Sequence, residues 1–400
     1  MGRRAAPAGH RAVRPLPAVK VAVLGAGFHG RGIAYQLAGS EVDLTILDRD
    51  EERAREVGSK AGVPWETVDV SDPAALRDAL AGVDMVVNAV GPYHRSALGV
   101  VEAAIECGVQ YADMNDDHEV AEALLLDSSW DERARKAGVT VLIDCGVVPG
   151  LSGMLVRHAA DQLDSTYRVA IRFVWNYSRS YPAAIQHFLR INSGDGPQYI
   201  DGRFVRMAPF GGREEIRFLE PVGATPVYFT GVPDPVAIAR FVPGVREATA
   251  KGAFYQPEAN RMMEDMVRWG FTSYDPPTPG VPSPMQYLMG FLESPRGEPF
   301  FEIPRLELPL ALRVEVEGER SDNRTTLSYE VHDRSRRATT TFTAQAALAA
   351  ARGELDPGVV APEAWPNAAA FLHDLVEEPH IRLFHWRDDE PPRRLGPREP

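Results

Sequence analysis

Val19-Lys20-Val21-Ala22-Val23-Leu24-Gly25-Ala26-Gly27-Phe28-His29-Gly30 is an apolar, β-branched run that breaks into three glycines spaced as GxGxxG. The residues from Arg31 to Leu37 then read as a helix. Glycine-rich turns are common, so the spacing alone says little; strand, tight turn and helix in this order give it physical meaning. Gly25 permits the turn, Gly27 lets a pyrophosphate approach the backbone, and Gly30 lets the helix lie against the strand. Phe28 and His29 fall in the same loop, whose N–H groups at the helix start would face the phosphates.

Working outward, Val42 to Leu47 reads as a second strand and ends at Asp48, 18 residues past Gly30. An acid there accepts hydrogen bonds from the adenosine ribose and repels a 2′-phosphate, which favours NAD; Arg49 follows directly and keeps NADP open. The pattern repeats with strands at Thr67 to Val70, Met85 to Val90, Gln110 to Ala112 and Val139 to Ile143. Helices are expected at Pro73 to Leu80, at Ser96 to Cys107 and in the stretch leading to Lys136. Strands alternating with helices at this spacing imply an α/β fold, a doubly wound parallel Rossmann sheet with its ligand at the carboxyl edge. Asp69 and Val70 then fall near the adenine; Asn88, Val90, Gly91 and Pro92 fall near the nicotinamide ribose. Cys145, ending the sixth strand, also lies beside the cofactor, where packing is the alternative reading.

The 400-residue chain is 44% hydrophobic and carries a formal charge of −13. It has room for two domains, and its acidity opposes nucleic-acid binding, which needs a concentrated basic surface. No stretch reaches the roughly 18 apolar residues of a membrane span, so no membrane partner is expected. Met1 to Ala18 reads as a disordered leader and Asp388 to Pro400 as a disordered tail. Two cysteines, Cys107 and Cys145, without Cys/His clustering suit a reducing cytoplasm and no structural metal.

Past Leu151 the pattern changes. A helix to about Gln162 precedes an alternating strand from Arg168 to Tyr177, a helical stretch from Ile185 to Ile191, and short strands broken by Gly and Pro. Leu312, Val314 and Val316, then Leu327, Tyr329 and Val331, alternate with polar residues about a turn, as in a half-buried antiparallel hairpin. The expected organisation is a nucleotide domain over 19–150, an α+β substrate-binding and dimerisation domain on a largely antiparallel sheet over 151–354, and a segment over 355–387.

Gly91-Pro92-Tyr93, Val100-Val101-Glu102-Ala103-Ala104, Gly108-Val109-Gln110-Tyr111-Ala112-Asp113, Gly138-Val139-Thr140 and Val148-Pro149-Gly150-Leu151-Ser152 occur in an order that resembles the saccharopine dehydrogenase family, in its reductase-type and lysine 6-dehydrogenase-like branches. Lys251-Gly252-Ala253-Phe254-Tyr255 continues the likeness more loosely. The resemblance implies NAD(P)-dependent oxidation or reduction of a C–N bond in an amino acid or N-substituted amino acid. It also implies that the segment over 355–387 returns to the first domain. At Met114-Asn115-Asp116-Asp117 the chain departs from the small or glycine-containing turn of related sequences.

Such chemistry needs a held nicotinamide, a group that handles the amine proton and anchors for substrate carboxylates. Tyr93, His94, Asp116 and Asp117 follow the strands nearest the nicotinamide, with a helix-start surface position as the alternative for His94 and an N-cap for Asp116. Lys251, one of only four lysines, is a candidate base or carboxylate anchor. Gly150, Leu151, Arg172, His187 and Arg190 are candidate substrate contacts, and a structural role is the rival for each arginine. No lysine has a tyrosine four residues before it, which removes the central pair of a short-chain dehydrogenase. Three functions remain: a dehydrogenase of saccharopine-like secondary amines, an oxidative deaminase of a primary amine, and a non-catalytic nucleotide-binding protein.

Overall fold

The computed structural model describes residues 19–175, 189–297, 310–333 and 337–396. His187, the leader and the last four residues lie outside it. The nucleotide domain is a seven-stranded parallel sheet ordered β15-β6-β5-β4-β1-β2-β3. Its strands are β1 (Val19–Leu24), β2 (Val42–Asp48), β3 (Trp65–Thr67), β4 (Met85–Asn88), β5 (Gln110–Asp113), β6 (Thr140–Leu142) and β15 (Gly358–Val360). Connecting helices are α1 (Phe28–Leu37), α2 (Glu51–Ala61), α3 (Pro73–Leu80), α4 (Tyr93–Cys107), α5 (His118–Leu126) and α6 (Ser128–Ala137). The strand order reverses between β1 and β4, and a parallel sheet opens a crevice at such a switch point.

Local chemistry sets the element ends. Asp50, Asp72 and Asp127 accept backbone N–H groups at the starts of α2, α3 and α6, and Gly62, Gly108 and Gly138 close α2, α4 and α6 at positive φ. Two boundary differences from the sequence reading bear on candidate residues. β3 ends at Thr67, so Asp69 and Val70 lie in the following turn, where Asp69 accepts the Ser71 N–H and hydroxyl. α4 begins at Tyr93 because Pro92, with no N–H to offer, sits well just outside a helix start, and this brings His94 into its first turn.

The chain leaves the first sheet through α7 (Leu151–Ala160) and enters a mixed sheet whose main path is β10-β11-β12-β7-β13-β14-β16-β17. These are β7 (Ser165–Trp175), β10 (Glu214–Arg217), β11 (Ala224–Phe229), β12 (Glu247–Phe254), β13 (Leu310–Arg320), β14 (Asn323–Asp333), β16 (Ile381–Arg387) and β17 (Arg393–Leu395). β8 (Gly196–Ile200) and β9 (Arg203–Met207) flank β12. All pairs are antiparallel except β12 with β7. The β13–β14 hairpin turns at Ser321 and Asp322, both at positive φ as a two-residue turn of the primed type requires. α8 (Asp234–Phe241), α9 (Pro257–Arg268) and α10 (Pro284–Glu293) complete the region before the hairpin.

Domain boundaries depart from the sequence reading at three points. α11 (Ala338–Ala351), expected in the second domain, packs on α1 and β5 of the first. It is buried nearly all round, and its Thr340 methyl lies 2.7 Å from where a Cβ on Gly32 would stand, so the two helices meet backbone to side chain. β15 pairs with β6 in the nucleotide sheet and α12 (Ala368–Leu375) packs on α7, but β16 joins the second sheet. Arg393–Leu395, read as tail, pairs with β16. One hydrophobic core runs through both sheets, from Val23 and Ile46 to Ile171, Leu312 and Val331.

Candidate functional site

Four loops meet at the carboxyl edge of the nucleotide sheet: Gly25–Gly30 after β1, residues 89–92 after β4, residues 114–117 after β5 and residues 143–150 after β6. Gly25 sits at φ 96°, and a Cβ on Gly30 would stand 1.7 Å from the Gly25 carbonyl oxygen, so neither tolerates a side chain. The Cβ side of Gly27 is open, and α1 carries no side-chain cap. First-turn N–H groups lack intrahelical acceptors, so this open, uncapped helix start fits a dinucleotide pyrophosphate. Asp48 lies beside the loop, its Oδ2 accepting the Ala26 N–H at 2.6 Å and its Oδ1 the Asp50 N–H at 2.8 Å. A carboxylate has about four acceptor sites, which leaves room for ribose hydroxyls. Arg49 is exposed near Asp69.

The β4 residues do something other than expected. Asn88 is fully buried: its Oδ1 accepts the Val90 N–H and its Nδ2 donates to the Tyr111 hydroxyl, so its side chain shapes the turn rather than facing a ribose. Gly91 is exposed with open space about it, and the Gly91–Pro92 bond is cis. Tyr93 is buried with its hydroxyl donating to the Asn88 carbonyl at 3.1 Å. Burial first, and then the Asp113 charge, hold its phenol well above the usual range, and its hydroxyl is turned onto the β4 backbone.

His94 is different. Its side chain is 15% exposed, and its Nδ1 lies 3.1 Å from Asp117 Oδ2, which also accepts the His94 backbone N–H at 2.8 Å. An ionised carboxylate only accepts, so an ionised Asp117 would take the Nδ1–H and leave Nε2 as the ring nitrogen facing away from it. Arg190 approaches Asp117 Oδ1 at 3.5 Å, donates to Glu119 at 2.7 Å and lies over the Tyr274 ring. The site thus brings together His94, Asp117 and Arg190 of the expected residues and adds Glu119 and Tyr274. Asp116 is half-buried and adds negative charge near Asp113.

Beneath this lies a buried acidic layer. Asp113 accepts the Tyr111 hydroxyl and the N–H groups of Asn115 and Asp144, yet burial pushes its carboxyl up to about 6. Asp144, at φ 65°, is raised well above the carboxylate range by burial and the Asp113 charge. Asp234 and Glu363 follow at about 7 and about 8, from burial first. Cys145 lies in the same layer: its thiol is fully buried against the Ile143 carbonyl and its own carbonyl accepts the Thr343 hydroxyl, so it packs and does not reach the cofactor crevice. Gly150, at φ 127° against Gly146, and Leu151, 1% exposed, form the buried joint into α7 rather than a substrate surface.

Lys251 and Arg172 are placed elsewhere. They pair in register across β12 and β7, with Arg313 of β13 next in the row. They alternate with Ala250, Ile171 and Leu312, which join the core shared with α7, so their side chains occupy the opposite face. There Glu214 Oε2 accepts from Lys251 at 2.7 Å and from Arg172 at 3.0 and 3.1 Å, and the ammonium lies over Phe229. Neither meets Tyr93 or His94: Arg172 is only 2% exposed, and both cations are spent on Glu214.

A reversing parallel sheet with an open glycine loop defines an NAD(P)-binding domain of Rossmann type. Residues 21–142 match the family model described as saccharopine dehydrogenase NADP binding domain. Among curated proteins, the chain is 27% identical over 152 residues to a carboxyaminopropylagmatine dehydrogenase of Synechocystis, covering 35% of this chain and 37% of the relative. It is 31% identical over 130 residues to a trans-acting enoyl reductase of Mycobacterium bovis, covering 30% of each. The chain therefore spans about a third of the length of these relatives. Similar solved structures share the fold: saccharopine dehydrogenase (L-Glu forming) of Saccharomyces cerevisiae, at TM-score 0.68 and 16% identity over 92% of this chain and 99% of that one, and homospermidine synthase of Legionella pneumophila, at TM-score 0.60 and 12% identity over 93% and 92%. Among the described residues no helix is long and apolar enough to cross a membrane.

Proposed function

We propose that this protein is an NAD(P)-dependent oxidoreductase acting on the CH–NH bond of an amino acid or N-substituted amino acid, saccharopine-like secondary amines first and primary amines second. The observation that carries this reading is the His94–Asp117 pair, which stands on the same sheet edge as the glycine loop and the acids Asp113 and Asp116. Surplus negative charge favours a cationic amine over a neutral or anionic group. In the oxidative direction His94 Nε2 accepts the proton leaving nitrogen as C–N becomes C=N, and Asp117 stabilises the imidazolium formed; in the reductive direction the same nitrogen returns it. The bound nicotinamide supplies the two-electron acceptor or donor. Arg190, braced by Glu119 and Tyr274, is the anchor for a substrate carboxylate. Asp48 favours NAD, and Arg49 leaves NADP open. A homodimer formed through the second domain is part of this proposal, checked by light scattering.

The test is a panel of lysine, saccharopine and other N-substituted lysines, together with an enoyl thioester, each with NAD(H) and NADP(H), read by nicotinamide absorbance. Turnover of an amine supports the reading. Turnover of the enoyl substrate alone would replace it with the chemistry in the Mycobacterium relative's name. Cofactor binding with no turnover at all would leave a nucleotide-binding protein.

A further inference from the structure

Asn115 has no exposed surface, yet every polar atom of its side chain is committed. Its Oδ1 accepts the Asp117 N–H at 3.1 Å, while its Nδ2 donates to the Asp117 carbonyl at 3.2 Å and to Asp144 Oδ1 at 2.8 Å. One amide thus grips both peptide groups of a single residue. Its own N–H donates to Asp113 Oδ1, which also accepts the Asp144 N–H, so the loops after β5 and β6 share one acceptor. Asp144 reaches Asn115 from a backbone at φ 65°, the left-handed region that Asn and Asp enter far more readily than bulky residues. On its other side, Asp117 commits Oδ2 twice to His94.

We propose that Asn115 is a positioning residue: anchored on Asp144, it fixes Asp117 so that Oδ2 holds the Nδ1–H of His94 and keeps Nε2 as the exchanging nitrogen. This rests on the reading of His94 as the proton-handling group. An imidazole that must take a proton at one nitrogen needs the other held by a fixed acceptor, or the wrong tautomer competes. Asp117 stands at the start of α5, where its carbonyl accepts the Val120 and Ala121 N–H groups while its side chain makes no cap bond to that helix, and the Asn115 grip and Arg190 add to what orients it. Asp144 suits the anchor because burial beside Asp113 disfavours its charged form, and a neutral anchor leaves Asp117 as the carboxylate nearest His94.

The test compares Asn115→Ala, Asn115→Asp and Asp144→Asn in the full chain saturated with NAD. Histidine-ring 15N NMR needs no substrate. Wild type is expected to give one Nδ1–H tautomer for His94, and Asn115→Ala a mixture. With an amine substrate, Asn115→Ala should lower kcat by roughly 10- to 100-fold, with KM and the NAD dissociation constant within about threefold. In an Asp117→Ala background the same change should cost nothing further, because its effect runs through Asp117. An unchanged tautomer, or an equal loss of kcat in both backgrounds, would overturn the proposal. Should Asn115→Ala fail to fold, Asn115→Asp keeps the volume and the acceptor while removing both Nδ2 donations, and the same two readings apply. The two claims separate cleanly: full turnover in His94→Gln defeats the His94 reading, whereas loss there beside wild-type behaviour in all three variants defeats only the role of Asn115.

Discussion

The two sheets use buried charge in opposite ways. On the second sheet Lys251, Arg172 and Arg313 stand in one row, and each meets an acid: Glu214 serves the first two, and Glu330 takes Arg313 at 2.6 Å while holding His332 at 2.7 Å. At the carboxyl edge of the first sheet the acids outnumber the cations. Asp113, Asp144, Asp234 and Glu363 lie fully buried, and among the described residues Asp144 Oδ2, Asp234 Oδ2 and both Glu363 oxygens have no hydrogen-bond partner. Matched charge makes a rigid platform, because breaking a pair strands the survivor. Unmatched charge is held by protonation and answers to ligands and pH.

The largest effect that could break this contrast is expected at His94. His94→Gln should lower amine turnover by about 10²-fold or more while NAD affinity by calorimetry stays within a few-fold, as removal of a general acid–base group does. Retained turnover would make the first sheet's edge as inert as the second sheet's row. Next, Glu214→Ala should destabilise the fold by about 1–3 kcal/mol in urea unfolding, discounted for the partial exposure of Glu214, and leave turnover per folded molecule unchanged. A loss of turnover without a loss of stability would return Lys251 and Arg172 to the chemistry.

The smallest effect concerns pH. Asp113, Asp234 and Glu363 have folded-state pKa values of about 6, 7 and 8, above the ordinary carboxylate range near 4. Between those values the folded state binds more protons than the unfolded one, so stability falls as pH rises from about 4 to 8. Glu363→Gln removes the highest of these and should flatten the fall, raising the melting temperature more at pH 8.5 than at pH 5, by a few degrees. An equal shift at both pH values would show that Glu363 is not protonated in the folded protein.

The nucleotide sheet was legible because its signals are local: β-branched runs, three glycines whose roles are steric, and capping residues at helix starts. The hairpin from Leu310 to Asp333 was legible by strict alternation. Alternation says which face a residue occupies but not what covers that face, so Lys251 and Arg172 read as chemical candidates until Glu214 supplied their partner from another strand. His94 was visible from its place after β4. Asp116 and Asp117 were both candidates by position, but which of them pairs with His94 was not legible, since they are adjacent and only the loop geometry decides which one turns inward. Asn115 could have been suspected from Asp113-Met114-Asn115-Asp116-Asp117, where alternate polar residues are free to bond the backbone two positions on, as Asp113 does with the Asn115 N–H and Asn115 with the Asp117 N–H. Two C-terminal departures have a topological reason: α11 covers the first sheet although it follows the hairpin of the second, and β16 joins the second sheet although β15 just before it joins the first.

That late return has a consequence for how the molecule is made. The crevice-forming half of the nucleotide domain leaves the ribosome early, but α11, which packs on α1 and β5, and β15, which edges β6, are translated roughly 200 residues after β6. At ordinary elongation rates of about 5–20 residues per second the wait is roughly 10–40 s. During it, the surface of α1 around Gly32 and the open side of β6 stand uncovered. The nascent chain therefore carries a nucleotide-binding fold that is unfinished through most of its synthesis, and a shortened chain ending near residue 150 should be sticky and poorly soluble rather than a miniature of the domain.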